Sequence, residues 1–344
     1  MNIQQLFGIE LPIIQAPMAG VQTSAMAIAV SNAGGLGSLP CAMLTPDGLR
    51  TELKAIAAQT TRPYNVNFFC HQPTEPDPVR EAKWRAALAP YYAEFGIDPA
   101  TVPAGGGRAP FSAEVAGLIA EFKPPVLSFH FGLPPPALLA RVKGWGAKVI
   151  SSATTVEEAR WLEAHGVDAV IAQGVEAGGH RGIFLSDDLS TQLGTMALLP
   201  QVVRAVKVPV IAAGGIADRD GVVAALALGA AGVQLGTSFM LCAEATISPM
   251  HRAALQSRRA EHTTLTNVFT GRPARGMYNR LMKELGALSD AAPAFPFATA
   301  ALAPLKAAAE KLGRDDFSTL WSGQNASGCR AIPAADLLRS LVPA

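Results

Sequence analysis

Val208-Pro-Val-Ile-Ala-Ala-Gly-Gly-Ile216 and Gly232-Val-Gln-Leu-Gly-Thr237 decide the fold. Each is a short apolar run that stops in small residues with bare backbone N–H groups. A helical run, Asp220 to Ala230, separates them. Two neighbouring parallel strands whose C-terminal loops offer free amides form an anion site. In a (β/α)8 barrel, the loops after strands seven and eight are the usual phosphate position. The pair therefore predicts a fold, a strand count and a phosphorylated ligand together.

Six further runs of the same kind precede these two. They are Pro12–Met18, Gly35–Leu39, Tyr64–Phe69, Val126–Phe131, Lys148–Ser152 and Asp168–Gly174. Runs such as Val170-Ile-Ala are apolar on successive residues, as expected of strands covered on both faces. Between them lie amphipathic helical patterns, among them Ser24–Ala33, Thr155–His165 and Asp220–Leu228. Each has a polar residue near its start and a glycine after its end, the usual asymmetry of helix caps. Alternating strands and helices imply a parallel α/β sheet. Eight repeats favour closure into a TIM (β/α)8 barrel over an open sheet.

Two stretches break the rhythm. Cys70 to Pro125 inserts after the third strand, with a charged helix near Val79–Phe95 and a Pro/Gly-rich loop, Pro99 to Pro110. Residues 240–318 follow the eighth strand and read as largely helical, with a disruption at Phe295-Pro-Phe297. The expected organisation is a barrel from 1–239 and 319–344, carrying the insertion 70–125, and a smaller helical cap domain over residues 240–318. A cap at the barrel mouth would form the substrate pocket at a domain interface.

Composition narrows the class. The 344 residues are 49% hydrophobic and 16% charged, enough for a sizeable core. The formal charge is +1, from 28 basic and 27 acidic residues spread without blocks, which gives no nucleic-acid or membrane-surface footprint. The N-terminus lacks a basic region followed by an apolar core, so no signal peptide is expected. No uncharged run reaches membrane-spanning length. Cys41, Cys70, Cys242 and Cys329 are scattered without a Cys-x-x-Cys, arguing against a disulfide framework or zinc site. The expectation is a cytoplasmic enzyme, monomer or homodimer, acting on a small molecule.

Barrel enzymes carry their chemistry at the C-terminal strand ends. Those positions hold Met18, Asn67, His130, Ser151-Ser152, Gln173, Glu176, Gly178, Gly179, His180, Gly214, Gly215, Gln234, Leu235, Gly236 and Thr237. No acidic metal cluster is among them, and Glu176 alone does not make a Mg²⁺ site. No Gly-x-Ser-x-Gly elbow points to a hydrolase. A rim of amides and N–H groups around a phosphate site suits a planar heterocycle with carbonyls and ring nitrogens. Flavin mononucleotide (FMN) is such a ligand, one that supplies its own redox chemistry. His130 reads either as a satisfied core histidine or as a general base facing the substrate. Met18 reads as core packing or as a soft apolar face for the flavin. Arg258-Arg259 and His251-Arg252 read as solvated helix faces.

Six ordered motifs resemble the nitronate monooxygenases. They are Gln15-Ala-Pro-Met-Ala-Gly20, Asn32-Ala-Gly-Gly-Leu-Gly37, Ser128-Phe-His-Phe-Gly132, Gln173 to Gly182, Ala212-Ala-Gly-Gly-Ile-Ala217 and Gly232 to Thr237, with Trp321-Ser-Gly-Gln324 beyond them. The resemblance implies an FMN enzyme that oxidises alkyl nitronates with O2 to a carbonyl compound and nitrite. Propionate 3-nitronate is the substrate associated with its class I members. By motif, Asn67, Gln173, Gly178, Gly215, Gln234, Leu235, Gly236 and Thr237 would hold FMN, and His180 would lie near the flavin. His130 would deprotonate a neutral nitroalkane or steady the nitronate. Class I members carry tyrosines and a lysine in the C-terminal helical region. Here that stretch, Phe295 to Lys306, has no tyrosine, and Lys306 is the candidate counterpart. The competing readings are an FMN reductase drawing on NAD(P)H and, more remotely, a cofactor-free sugar-phosphate barrel enzyme.

Overall fold

The computed structural model describes residues 2–105 and 109–342. Gly106, Gly107 and Arg108, in the loop expected over Pro99 to Pro110, lie outside the described residues.

Eleven strands are described. They are β1 (Ile13–Gln15), β2 (Gly37–Pro40), β3 (Tyr64–Phe69), β4 (Val126–His130), β5 (Lys148–Ala153) and β6 (Ala169–Gln173), then β7 (Gly179–His180), β8 (Val210–Ala213), β9 (Gly232–Leu235), β10 (Thr263–Thr266) and β11 (Ala274–Met277). Eight of them form one parallel sheet in the order β1-β9-β8-β6-β5-β4-β3-β2. The ends meet through a parallel bridge between Ile14 and Leu36, so the sheet curls into a nearly closed barrel. All eight predicted runs supply these strands. The quoted pair become β8 and β9, adjacent and parallel, with Ile211 opposite Gly232.

The helix ends form where the caps predict. Thr23, Thr155 and Asp218 cap the helices Ser24–Asn32, Val156–Ala164 and Arg219–Ala227 with their side-chain oxygens. Each oxygen satisfies an N–H that the first turn leaves open.

The barrel interior changes character along its axis. Near the N-terminal strand ends, Ile14, Leu36, Val126, Ile150, Ala169 and Ile211 pack with Ile3 and Phe7 of the helix Ile3–Phe7, which plugs the bottom. Gly232 makes room for that plug, because a Cβ there would stand 2.1 Å from Ile3 Cδ1. Two residues further along these strands (four on β6), the inward positions become Ser128, Ser152, Gln173 and Gln234. Side chains two apart on a strand face the same side, so one interior holds both layers.

The segment after β9 contains helices, including Pro249–Leu255, Arg280–Leu285 and Ala298–Lys311, and also the hairpin β10–β11. That hairpin pairs with β7 from the loop after β6, giving a second, three-stranded sheet. The insertion helix Pro78–Glu94 joins this segment. Trp84 and Tyr92 donate to the carbonyls of Ala298 and Ala301, at 3.1 and 2.7 Å. Trp84, Leu88 and Tyr92 share a core with Phe269, Leu302 and Phe317. Insertion and C-terminal segment thus bury one apolar cluster between them. Among the described residues, no helix is long and apolar enough to cross a membrane. All four cysteines are free thiols.

Candidate active site

A cavity of about 200 Å³ opens at the C-terminal end of the barrel. A hollow beside Trp84 and Phe297 holds only about 10 Å³, at most the room of one water. Of the strand-end positions read from the sequence, all but Ser151 line the large cavity. Asn67, His130, Gln173, Gln234 and Leu235 come from strand ends, and Met18 from the loop after β1. Gly178, Gly179 and His180 come from the loop after β6, Gly214 and Gly215 from that after β8, and Gly236 and Thr237 from that after β9.

One end of the cavity is backbone. Gly214 and Gly215 have φ of 111° and 73°, a left-handed turn that leaves their amides unshielded by side chains. The one-turn helix Thr237–Leu241 begins at Gly236 without a side-chain cap. Gly178 lies against Ser322-Gly323, where a Cβ would come within 2.5 Å of the Gly323 nitrogen. Gly323 N donates in turn to Thr237 Oγ1 at 2.9 Å, and Asn325 Nδ2 to the Gly215 carbonyl at 3.0 Å. The C-terminal segment is thereby stitched onto both glycine loops.

Glu176 also lines this end, but its carboxylate is engaged. It accepts from Thr195 N at 2.9 and 2.8 Å and from Thr195 Oγ1 at 3.0 Å. It therefore caps the helix Thr195–Ala205, where a carboxylate is favoured by the helix dipole.

The opposite wall carries His130. β4 ends there because Phe131 and Gly132 both turn left-handed, at φ 69° and 90°. For a phenylalanine that conformation costs on the order of 1–3 kcal/mol and needs its ring held in place. Phe69 packs edge-on against the ring at 5.0 Å, and the Arg272 guanidinium lies 4.0 Å over its face.

Both nitrogens of His130 are occupied. Nε2 lies 3.1 Å from the His180 carbonyl, and Nδ1 lies 3.1 Å from Ser152 Oγ. A carbonyl can only accept, so Nε2 carries the proton. In the neutral ring Nδ1 is then the acceptor, and Ser152 donates to it. His130 lines the cavity and is mostly enclosed by protein. Burial, opposed by the His180 carbonyl bond and reinforced by the charges of Arg272 and Arg181, pushes its pKa down to about 4. His130 is neutral at physiological pH.

The His180 carbonyl is placed from outside the barrel. β7 pairs with β11, His180 opposite Ala274. Gln173 Nε2 also donates to that carbonyl at 3.0 Å, and Gln173 Oε1 accepts from Gly182 N at 2.7 Å. Fully buried Arg181 ties the loop to the end of β6, donating to the carbonyls of Gly174 and Gln173 at 2.6 and 2.7 Å. Burial, with Arg275 nearby, lowers its pKa to about 10, which still leaves it charged at neutral pH.

Sequence reasoning passed over several cavity residues. Ser152 stood among the strand ends but was given no role, although it faces inward two places after Ile150. Trp321 and Gly323 reach the cavity from the far end of the chain, where spacing gives no hint of their neighbours. His251 corrects an expectation. It is buried rather than on a solvated face, and its Nε2 lies 3.1 Å from the carbonyl of Trp321, a cavity wall. Lys306 pairs with Glu310 at 3.8 Å and is absent from the cavity lining.

The sequence pattern of the nitronate monooxygenase family matches residues 2–344. The chain belongs to the nitronate monooxygenase family. It is 44% identical to the nitronate monooxygenase of Pseudomonas aeruginosa, over 98% of this chain and 97% of that one. It is 45% identical to the nitronate monooxygenase of Paraburkholderia phytofirmans, over 98% and 92% of the two chains. Among solved structures it resembles the nitroalkane oxidase of Streptomyces ansochromogenes, with a TM-score of 0.89 and 39% identity over 98% and 96% of the chains. As a family member it is an enzyme, an oxidoreductase acting on the nitronate form of small nitro compounds.

Proposed function

We propose that this enzyme binds FMN in the barrel-mouth cavity and oxidises alkyl nitronates with O2, giving a carbonyl compound and nitrite. The observation that carries the cofactor assignment is Gln234 Oε1, a cavity-lining amide oxygen that is buried with no hydrogen-bond partner. An orphaned buried acceptor costs about 1–3 kcal/mol and calls for a donor from a ligand. A flavin ring edge offers N–H groups of that kind. The uncovered amides at Gly214–Gly215 and Gly236–Thr237 suit its phosphate. Gly178 and Gly179 would close over that end, with Leu235 and Met18 giving an apolar surface. Asn67, Gln173 and His180 would sit toward the ring or ribityl chain.

When bound, FMN supplies the electron transfer between nitronate and O2. The protein's part is to orient the substrate and manage its charge and proton. A nitronate is already a stabilised carbanion, so it needs little acid–base help. A neutral nitroalkane needs a base, and His130 stands where one is required. A substrate carboxylate, as in propionate 3-nitronate, would be met by backbone, neutral polar groups and the two lining histidines, since the lining holds no lysine or arginine among the described residues.

An anaerobic titration tests this reading. The purified protein is expected to be yellow, with propionate 3-nitronate or ethylnitronate bleaching its visible absorption and O2 restoring it. Bleaching by NADPH, with none by either nitronate, would point to a reductase. A colourless protein that retains no flavin would reject the cofactor.

A further inference from the structure

We infer that Ser152 is the group that meets the α-proton of a neutral nitroalkane, passing its own hydroxyl proton to His130. The inference rests on the nitronate reading above and assigns the proton path within that site.

Hydrogen-bond capacity limits what His130 can accept. An imidazole has two nitrogens, and in His130 Nε2–H is committed to the His180 carbonyl. That carbonyl cannot turn away freely, because β7–β11 pairing fixes its strand and Gln173 donates to the same oxygen at 3.0 Å. The single basic lone pair of the ring is therefore on Nδ1. Ser152 Oγ sits on it at 3.1 Å. Ser152 lines the cavity, and its backbone is held within β5 between β4 and β6. A substrate carbon approaching from the cavity can thus deliver its proton through the hydroxyl without displacing it.

The loop after β6 is shaped around this pair. At Gly182, a Cβ would fall 2.9 Å from Ser152 Cβ and 3.0 Å from His130 Cε1. Any larger residue there would press on both members of the relay.

The step balances without an oxidant. The α C–H bond breaks and its proton bonds to Ser152 Oγ. The original Ser152 O–H bond breaks, and that proton forms an N–H bond at His130 Nδ1. The carbon's electron pair moves into the nitro group, giving the nitronate. Imidazolium and nitronate appear together, so the positive charge that Arg181 and Arg272 oppose is created beside an anion that offsets it. This suits a histidine that is neutral beforehand and accepts a proton only when its partner charge forms.

Two measurements test the relay. In the wild type, neutral nitroethane is compared in H2O and D2O. A relay moves an exchangeable hydroxyl proton in the same step, so kcat/KM should show a normal solvent isotope effect. Direct abstraction by imidazole moves only the carbon-bound proton, and a solvent effect of unity would overturn the proposal. Second, Ser152→Ala should lower kcat/KM for nitroethane about 100-fold more than for preformed ethylnitronate. Ser152→Thr, which keeps the hydroxyl, should recover most of that difference. Equal losses on both substrates, or no recovery with threonine, would reject the relay. A wild type that consumes ethylnitronate but not nitroethane rejects the relay alone. A wild type that consumes neither rejects the nitronate reading itself.

Discussion

The two ends of the barrel interior are built on the same eight strands, yet they are held together by opposite means. At the bottom, Val126, Ile150, Ala169 and Ile211 meet the plug helix and bury aliphatic surface completely. At the top, two residues further along (four on β6), Ser128, Ser152, Gln173 and Gln234 bury polar atoms instead. Most of these are matched: Ser128 Oγ accepts from Asn65 and Asn67 at 2.8 and 2.9 Å, and Ser152 meets His130. Gln234 Oε1 is not. The bottom is mostly aliphatic, and its orphaned acceptor, Asn65 Oδ1 level with Val126, is sealed from the cavity, whereas the orphaned Gln234 Oε1 at the top lines the cavity, where a ligand can satisfy it. A binding site here is a local departure from packing that the rest of the barrel supports.

β9 carries a residue at each level, Gly232 below and Gln234 above. Gly232→Val should overpack the bottom, driving a side chain into Ile3 and the Pro12 carbonyl. We expect a loss of about 3 kcal/mol in unfolding free energy, with KM for ethylnitronate unchanged in the folded fraction. A normal melting temperature would show that the plug is loosely packed.

Acid should separate the ends next. His130 and His251 are both held down to about 4, first by burial. Both are neutral in each state above the unfolded value of about 6.5, so their burial costs nothing there. Below it the unfolded chain binds protons that the folded chain refuses, and stability falls between about pH 6.5 and 4. Two such groups give a slope of up to about 2.7 kcal/mol per pH unit. His130→Asn should halve that slope, as read from denaturant titrations at pH 5. An unchanged slope would mean that the His130 site admits water or relaxes on protonation.

Gln234→Leu is expected to do at the top the reverse of Gly232→Val. Removing the orphaned acceptor should stabilise the cofactor-free protein by about 1 kcal/mol while weakening FMN retention about tenfold. Calorimetry and equilibrium dialysis read the two effects separately. A destabilised apoprotein would show that Gln234 serves the fold rather than a ligand. The smallest effect is expected from Lys306→Ala. Lys306 is paired with Glu310 outside the cavity lining, so KM for propionate 3-nitronate should change by less than about twofold. A large rise would bring the helix Ala298–Lys311 into substrate binding.

Much of the site was legible because barrel strands place successive C-terminal ends in a ring. Asn67, His130, Gln173 and Gln234 lie in the C-terminal halves of apolar runs, and convergence follows once the sheet curls. The glycines were legible for a similar reason, since bare amides after neighbouring strands can only meet at one rim. Other features carried no such signal. Thr263–Thr266 and Ala274–Met277 lie in a segment read as largely helical, and β11 is interrupted by a charged Arg275. That arginine is buried there because it donates to the carbonyls of Val175 and Thr263. Burial of His251 depends on the Trp321 carbonyl, seventy residues away.

Local sequence rules were enough for the barrel, for the glycine-rich ends of β8 and β9 as an anion-ready rim, and for His130 as a strand-end histidine. These follow from local rules: period, caps, and the position of small residues after an apolar run. What His130 can do depends on packing between distant segments. Its Nε2 is fixed by a carbonyl that a hairpin outside the barrel places, and its Nδ1 faces Ser152 across one strand pair. Proton chemistry depends on which nitrogen holds the proton, and that is set by partners distant in sequence. The glycine rim gains its closing wall in the same way, from Ser322-Gly323 packed against Gly178.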